Sequence, residues 1–302
     1  MEQTNHTELR SCPTCGSQNR IERLKTIDHT VSKETFSIQQ CVDCGLHYTC
    51  PSPPTTSIGA YYESDAYISH TDRKRGVFER IYHAVRKRAV AHKIQLIQHY
   101  RPGGNLLDLG AGTGTFAQAA RSAGYSVSAV EPSAAARRVA AECNGIEAAI
   151  SLETLSPVVP LHVVTMWHVL EHLHTPVDTL RALHQRMASQ ALLVIAVPNR
   201  ASWDAHYYGP SWAAWDVPRH LSHFDEQDLE KAVSRAGFRL VTKHPMWFDA
   251  PYVAILSERI RGRGPVAALM LGGLIGLWSN AMTILLKRPT SSTIYIAEKT
   301  GP

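Results

Sequence analysis

The sequence predicts an α/β protein in which a small N-terminal zinc ribbon precedes a doubly wound sheet of seven strands. Three observations carry this. Past residue 101, short aliphatic runs alternate with segments of helical periodicity, as strands and crossover helices do. The stretch LLDLGAGTGTF (106–116) reads as a buried strand, a glycine turn and the start of a helix. Cys12, Cys15, Cys41 and Cys44 are spaced C-x2-C-x25-C-x2-C, paired thiolates two residues apart that suit a structural zinc. With 302 residues and 44% hydrophobic content, the chain can bury a large core and still carry a small module.

Residues 1–50 form the expected ribbon. Gly16 and Gly45 follow the second cysteine of each pair, and alternating stretches such as ETFSIQQ supply short strands between the knuckles. Four sulfur ligands leave zinc no open position, so the expected metal is structural. Cys50 and Cys143 are expected to be unliganded. The opening MEQTNHTELR has no apolar core of a signal peptide, so a cytoplasmic location is expected.

Residues 51–100 are expected to form a linker and a helical lid. CPSPPTTSIGA has three prolines and reads as extended chain, with a boundary near residue 51. Tyr61, Tyr62 and Tyr67 can fold over the mouth of the following domain or pack beside it. A helix runs from about 76 to 100, with apolar residues at Val77, Ile81, Val85, Val90, Ile94 and Ile97. Arg73, Lys74, Arg75, Arg80, Arg86, Lys87, Arg88 and Lys93 gather there, and a solvated face is the favoured reading. The net charge of +5 permits nucleic acid without requiring it.

Residues 101–245 hold the main domain, completed by a last strand in 291–302. Strands are expected near 105–109, 126–131, 146–150, 161–166, 191–197, 238–244 and 292–298. After the first, Gly110, Gly112 and Gly114 alternate, where the dinucleotide fingerprint needs glycine at 115 and this chain has Thr115. A turn without side chains lets a flat nucleoside approach the backbone, and the helix N-terminus that follows favours a carboxylate. Glu131 closes the second strand, where an acid can accept both hydroxyls of a ribose.

Here the chain resembles the class I S-adenosylmethionine-dependent methyltransferases, whose first motif is an acid followed by G-x-G-x-G. The resemblance implies a Rossmann-like sheet of order 3-2-1-4-5-7-6 with an antiparallel last strand. It implies S-adenosylmethionine as cofactor, held by Asp108, Gly110, Gly112, Gly114 and Glu131. Met166, Trp167 and His168, at the tip of the fourth strand, fall where the family lines the methionine and sulfonium, and an aromatic ring there can attract the positive sulfur. Ser151 and Glu153 are the nearest polar choices for adenine. The fourth strand starts with Leu161 and His162, where the family often has an aspartate.

Methyl transfer is a one-step displacement, so the protein must align the acceptor and commonly remove a proton. His168, Glu171 and His172 form H-x-x-E-H at the strand tip; the family carries such a pair without metal, so Glu171 and His172 either brace a helix start or act as base. The loop PNRASWDAHYYGPSWAAWDVPRHLSHF resembles the acceptor-covering loop of related O- and C-methyltransferases. His220 is the favoured general base, with His223 three residues on. Trp203, Trp212 and Trp215 are expected to exclude water and offer an apolar or sugar-stacking surface.

Residues 246–290 are an apolar helical insertion, with 23 uncharged residues from 264 to 286 flanked by Arg261, Arg263, Lys287 and Arg288. That length suits a transmembrane helix. A single crossing would strand the last β-strand on the wrong side, so packing on the domain, a homodimer contact or peripheral membrane contact is expected instead. Gly272, Gly273 and Gly276 suggest a broken helix or hairpin. The expected activity is transfer of a methyl group to an oxygen or carbon of a small molecule such as a sugar, a quinol-like ring or a lipid-linked glycan. The alternatives are an RNA methyltransferase docked through the ribbon and a non-catalytic binding protein. MWHV at the strand tip is not the Asn/Asp-Pro-Pro-aromatic motif of many base amino methylases.

Overall fold

The computed structural model describes residues 11–62, 77–156 and 159–301, with the backbone alone over 77–86. Tyr67, Arg73, Lys74, Arg75 and the opening ten residues lie outside the described residues, as do the side chains of Arg80 and Arg86. In chain order the elements begin with β1 (Arg20–Ile27), β2 (Thr35–Cys41), β3 (His47–Thr49) and helix α1 (Val77–Tyr100). The main sheet opens with β4 (Gly104–Leu109), α2 (Thr115–Ser122), β5 (Tyr125–Val130), α3 (Ala134–Asn144), β6 (Ala148–Ala149) and β7 (Leu161–Trp167). Then follow α4 (Pro176–Arg186), β8 (Met187–Pro198), α5 (Trp203–Tyr208), β9 (Ser222–His223), α6 (Glu226–Arg235) and β10 (Phe238–Pro245). The chain ends with α7 (Asp249–Ile260), α8 (Pro265–Leu286) and β11 (Ser292–Lys299).

Seven strands form one sheet in the order β10-β11-β8-β7-β4-β5-β6, which is the order expected from the family. β4 through β8 run parallel, and β11 is antiparallel to both β8 and β10. Period-two alternation sends Leu193, Ile195 and Val197 of β8 to one face and Leu192, Val194 and Ala196 to the other. Leu180 and Leu183 of α4 and Leu229 and Val233 of α6 cover the first face. Ile94 and Ile97 of α1 and Phe116 of α2 cover the second. The edge strand β6 is only two residues long, shorter than the expected 146–150.

The ribbon strands form a second sheet, β1-β2-β3-β9, whose last strand comes from the loop after β8. Cys12, Leu46 and Tyr48 belong to the same buried cluster as Leu193 and Val233, so one core runs from the ribbon into the main sheet. Lys231 of α6 donates to the Cys44 carbonyl at 2.6 Å. Arg219, 4% exposed, lies 3.0 Å from Asp28, 0% exposed, and 2.6 Å from Asp216. Asp28 also accepts the backbone N–H groups of Thr30, Val31 and Ser32, tightening the β1–β2 turn. Burial alone would raise the Asp28 carboxyl, but these donors and Arg219 hold it below the usual carboxylate value.

Helix α8 corrects the expected break at its glycines: it is continuous over 22 residues. A Cβ at Gly272 would lie 2.5 Å from the Ile255 backbone, and one at Gly276 would lie 2.3 Å from Pro251 Cα. These glycines exist for close approach to α7, not for bending. Gly273, one position off the contact, faces open space. Asp204 of α5 is fully buried and accepts from Trp212 Nε1 (2.8 Å), Ser279 Oγ (2.9 Å) and Ser291 Oγ (2.6 Å). It thereby ties the long helix and the start of β11 to the acceptor loop.

Asp28→Ala leaves Arg219 charged, buried and short of one partner, so it should lower unfolding free energy in denaturant titration by about 3–5 kcal/mol. Asp178→Ala, which breaks an exposed pair with Arg181, should cost under about 1 kcal/mol.

Candidate active site

The glycine turn between β4 and α2 is shaped by backbone positions that suit glycine. Gly110 and Gly114 have φ of 71° and 76°, and Cβ atoms there would fall 2.5 Å from Val169 Cγ2 and 3.0 Å from Ala140 Cβ. Gly112, φ 55°, faces open space on the outside of the turn. Its N–H donates to Glu131 Oε2 at 2.8 Å, and the Ser133 N–H donates to Oε1 at 2.8 Å. Each carboxylate oxygen retains a second lone pair directed away from the backbone. Asp108 sits beneath the turn, accepting from Thr165 Oγ1 at 2.8 Å, and burial pushes its carboxyl up to about 7. Ser151 and Glu153 lie in a turn past β6 in which Thr154 Oγ1 bonds both the N–H and the C=O of Ser151.

At the tip of β7, Met166 is fully buried, so its side chain belongs to the core. Trp167 meets Phe116 edge-on, and Lys93 Nζ lies 4.1 Å from its ring centroid. This corrects one expectation: Lys93 packs over the Trp167 ring instead of lining a solvated helix face. The Trp167 Nε1 is buried with no hydrogen-bond partner among the described residues. His168 adopts φ 57°, which a residue with a Cβ rarely takes, and its ring is clamped between Glu171 (3.2 Å) and Asp249 (3.2 Å). Burial disfavours charge on this imidazole, but hydrogen bonds to Asp249 and then Glu171 prevail and push it up to about 9.

The acceptor side is built from loops. His172 and His220, 48 positions apart in the chain, meet with ring centroids 4.6 Å apart and planes at 75°. His172 Nδ1 lies 2.9 Å from the Arg219 carbonyl and 3.0 Å from the Tyr62 hydroxyl. His220 Nδ1 lies 2.9 Å from the Ala214 carbonyl. A carbonyl only accepts, so each Nδ1 bears the proton and each Nε2 holds the lone pair. Burial and then the neighbouring His220 push His172 down to about 4, keeping it neutral. Glu171, 1% exposed, leaves Oε2 without a partner among the described residues, and Asp216 Oδ2 stands 3.9 Å from His220 Nε2. Glu171, His172 and His220 offer three ligand-capable atoms within 4.8 Å of one another.

His223 is displaced from this pair: Thr49 Oγ1 lies 3.0 Å from its Nε2, and burial holds it neutral. Trp212 and Trp215 correct another expectation. Both are buried, with their indole N–H groups given to Asp204 and the Gly209 carbonyl, so they wall the loop from inside and present no stacking surface. Trp203 stacks on Tyr207 at 5.1 Å. Sequence reasoning missed Asp249, Arg219, Asp216 and Asp28, none of which stands in a recognisable local motif.

In the ribbon, Cys12 and Cys44 sulfurs lie 3.5 Å apart, as do those of Cys15 and Cys41, and all four lie within 4.8 Å. A tetrahedral zinc with bonds of about 2.3 Å would hold its sulfurs about 3.8 Å apart, so the set fits that ion. An open cleft of about 640 Å³ lies elsewhere, at the amino edge of the parallel strands, lined by Tyr100, Gln190 and Arg239 among others. It is remote from every group above.

Comparisons with known proteins place the chain in a family. The Methyltransferase domain family matches residues 82–243, more than half of the chain. Magnesium protoporphyrin IX methyltransferase from Synechocystis PCC 6803, solved with bound SAH, is similar in fold, with TM-score 0.54 and 12% identity over 82% of this chain and 100% of that one. A SAM-dependent methyltransferase from Archaeoglobus fulgidus gives TM-score 0.49 and 18% identity over 78% of this chain and 100% of that one. A cyclopropane synthase from Mycobacterium tuberculosis gives 0.47 and 14% over 69% and 84%. No curated protein matches the chain.

The raised His168 value gives stability a defined pH window. The contribution of the charged clamp is complete below the unfolded imidazole value of about 6.5 and is lost as pH rises through about 9. Thermal melts of the wild type and His168→Gln should therefore differ most near pH 6 and converge above pH 9.

Proposed function

The chain belongs to the class I S-adenosylmethionine-dependent methyltransferases, and from this we propose that it methylates an oxygen or carbon atom of a small molecule with a histidine as general base. The observation that carries the reading is the pair His172 and His220, both held with Nε2 free by backbone carbonyls beside the strand tip that borders the cofactor turn. Bound S-adenosylmethionine supplies an electrophilic methyl group on a sulfonium. Glu131 would accept the ribose hydroxyls through its two spare lone pairs, and the side-chain-free face of Gly112 would admit the nucleoside. Met166 to His168 would border the methionine end.

His220 Nε2 takes the acceptor proton, and Asp216 favours the imidazolium that forms. Two imidazoles in contact resist double protonation, so neutral His172 keeps the pair at a single proton while Glu171 balances it. Buried Trp212 and Trp215 keep the loop rigid, which holds the acceptor in line with the departing sulfur. A sugar, a quinol-like ring or a lipid-linked glycan each has a hydroxyl or an activated carbon that this arrangement serves. The four cysteines hold one structural zinc, which braces β3 and, through it, β9.

Titration calorimetry should detect S-adenosylhomocysteine binding that Glu131→Ala weakens at least about tenfold; wild type that binds neither this product nor S-adenosylmethionine would sink the enzyme reading. With tritium-labelled cofactor and a cell extract, label should enter the small-molecule or lipid fraction. Transfer to RNA instead would reassign the substrate. His220→Ala should lower the labelling rate by about 10²–10⁴-fold with product affinity unchanged. Metal analysis should find one zinc per chain, lost in Cys41→Ser; a second equivalent that vanishes in His172→Ala would turn the histidine cluster into a metal site.

A further inference from the structure

Helix α8 is, among the described residues, the one helix long and apolar enough to cross a membrane. Its topology forbids a crossing. β11 starts six residues after the helix and pairs on both sides within the main sheet. The buried Asp204 carboxylate is satisfied in part by Ser279 of the helix, so withdrawing the helix would strand it. The helix therefore stays on α7 and α5, using Ala268, Gly272, Gly276 and Ser279 as its inner stripe.

The other sides of the helix face outward and remain apolar. Val266 is 71% exposed, Leu274 65%, Leu277 62% and Ile284 70%, and Trp278 is more than half exposed. Trp247, Phe248 and Tyr252 extend the patch onto the start of α7, where Asn280 of α8 donates to the Trp247 carbonyl. A surface of this extent is rare on a soluble monomer without a partner. Its rim is cationic: Arg261 and Arg263 stand before the helix, Lys287 and Arg288 after it, and no carboxylate occurs between Glu258 and Glu298. Glu258 itself is buried and faces Arg261 and Arg263.

We infer that the α7–α8 face lies flat in one leaflet of an anionic bilayer, with the apolar side chains among the acyl chains and the cations of both helix ends among the phosphates. Charge at both ends suits a helix of about 33 Å lying in the interface plane. Exposed Trp278 and Trp247 suit the headgroup boundary. A second copy of the chain fits less well, because an antiparallel pairing would set Lys287 and Arg288 against Arg261 and Arg263, four cations with Glu258 as the one acid near each meeting point. The patch also reaches the active site: Phe248 adjoins Asp249, whose carboxylate holds His168. A bilayer under this face thus lies one residue along the chain from the carboxylate that clamps His168.

The test is flotation of the full-length protein with phosphatidylcholine vesicles containing roughly a third phosphatidylglycerol. Wild type should float, and both neutral vesicles and about 0.5 M salt should reduce it severalfold. Leu274→Glu with Leu277→Glu should reduce flotation at least about tenfold, and Lys287→Glu with Arg288→Glu should reduce it on anionic vesicles alone. S-adenosylhomocysteine affinity and the unfolding midpoint serve as checks that each variant is folded. Wild type left at the bottom with all vesicles overturns the inference. So does a dimer by light scattering that the leucine substitutions dissociate, since the face is then an interface between copies.

Discussion

The buried guanidinium of Arg219 is the interaction on which the acceptor side depends. It reaches back 191 residues to Asp28 in the ribbon, across three residues to Asp216, and onto the Tyr61 carbonyl, while its own carbonyl accepts from His172. Buried ion pairs seldom stabilise a fold more than apolar residues of equal volume would. What this one provides is position: with a fixed planar fork and no freedom to lose its proton, Arg219 sets the spacing between the ribbon hairpin, the Tyr61–Tyr62 segment and the histidine loop. Neither histidine can shift without opening that network.

The ribbon consequently serves as scaffold for the chemistry. β3 pairs with β9 two residues beyond His220, and Thr49 Oγ1 donates to the His220 carbonyl at 2.7 Å. Cys12, Cys41 and Cys44 share a core with β8 and α6. A metal gathering the four thiolates would therefore bear on the loop that carries His220 through backbone pairing, with no ligand position left for the reaction. The structural zinc chemistry expected from the spacing and the catalytic chemistry expected from the loop are one mechanical unit.

The shape of the turn between β4 and α2 was legible because its requirements are local. Positive φ at Gly110, Gly112 and Gly114 is written as glycine, and Glu131 follows from strand length. The sheet order came from the family resemblance that the glycine motif carries, and alternation of strands and helices gave only the strand count. Asp28 and Asp249 were not legible, because a carboxylate 191 or 81 residues from its partner leaves no periodic mark, and Asp216, only three residues from Arg219, sits in a loop without periodicity. The aromatic assignments misled for a related reason. A tryptophan signals a large apolar body, but whether that body faces a ligand or the core is decided by neighbours such as Asp204 and Gly209, which accept the indole protons of Trp212 and Trp215. Lys93 could not be placed from sequence, since helical phase alone does not show which turn of α1 crosses Trp167.

His168 shows how the two halves meet. Its left-handed backbone is a local oddity at the end of β7, while its ring is fixed by Glu171 from the strand tip and Asp249 from the first turn of α7. Two carboxylates on one imidazole keep it charged at neutral pH, so a general base of the kind proposed has to come from the histidine pair on the far side of Glu171. That division of labour is electrostatic. One histidine is held positive by two acids and fastens α7, with its apolar face, to the cofactor strand. His172 is held neutral by burial and by the neighbouring His220, and its Nε2 keeps a lone pair to offer.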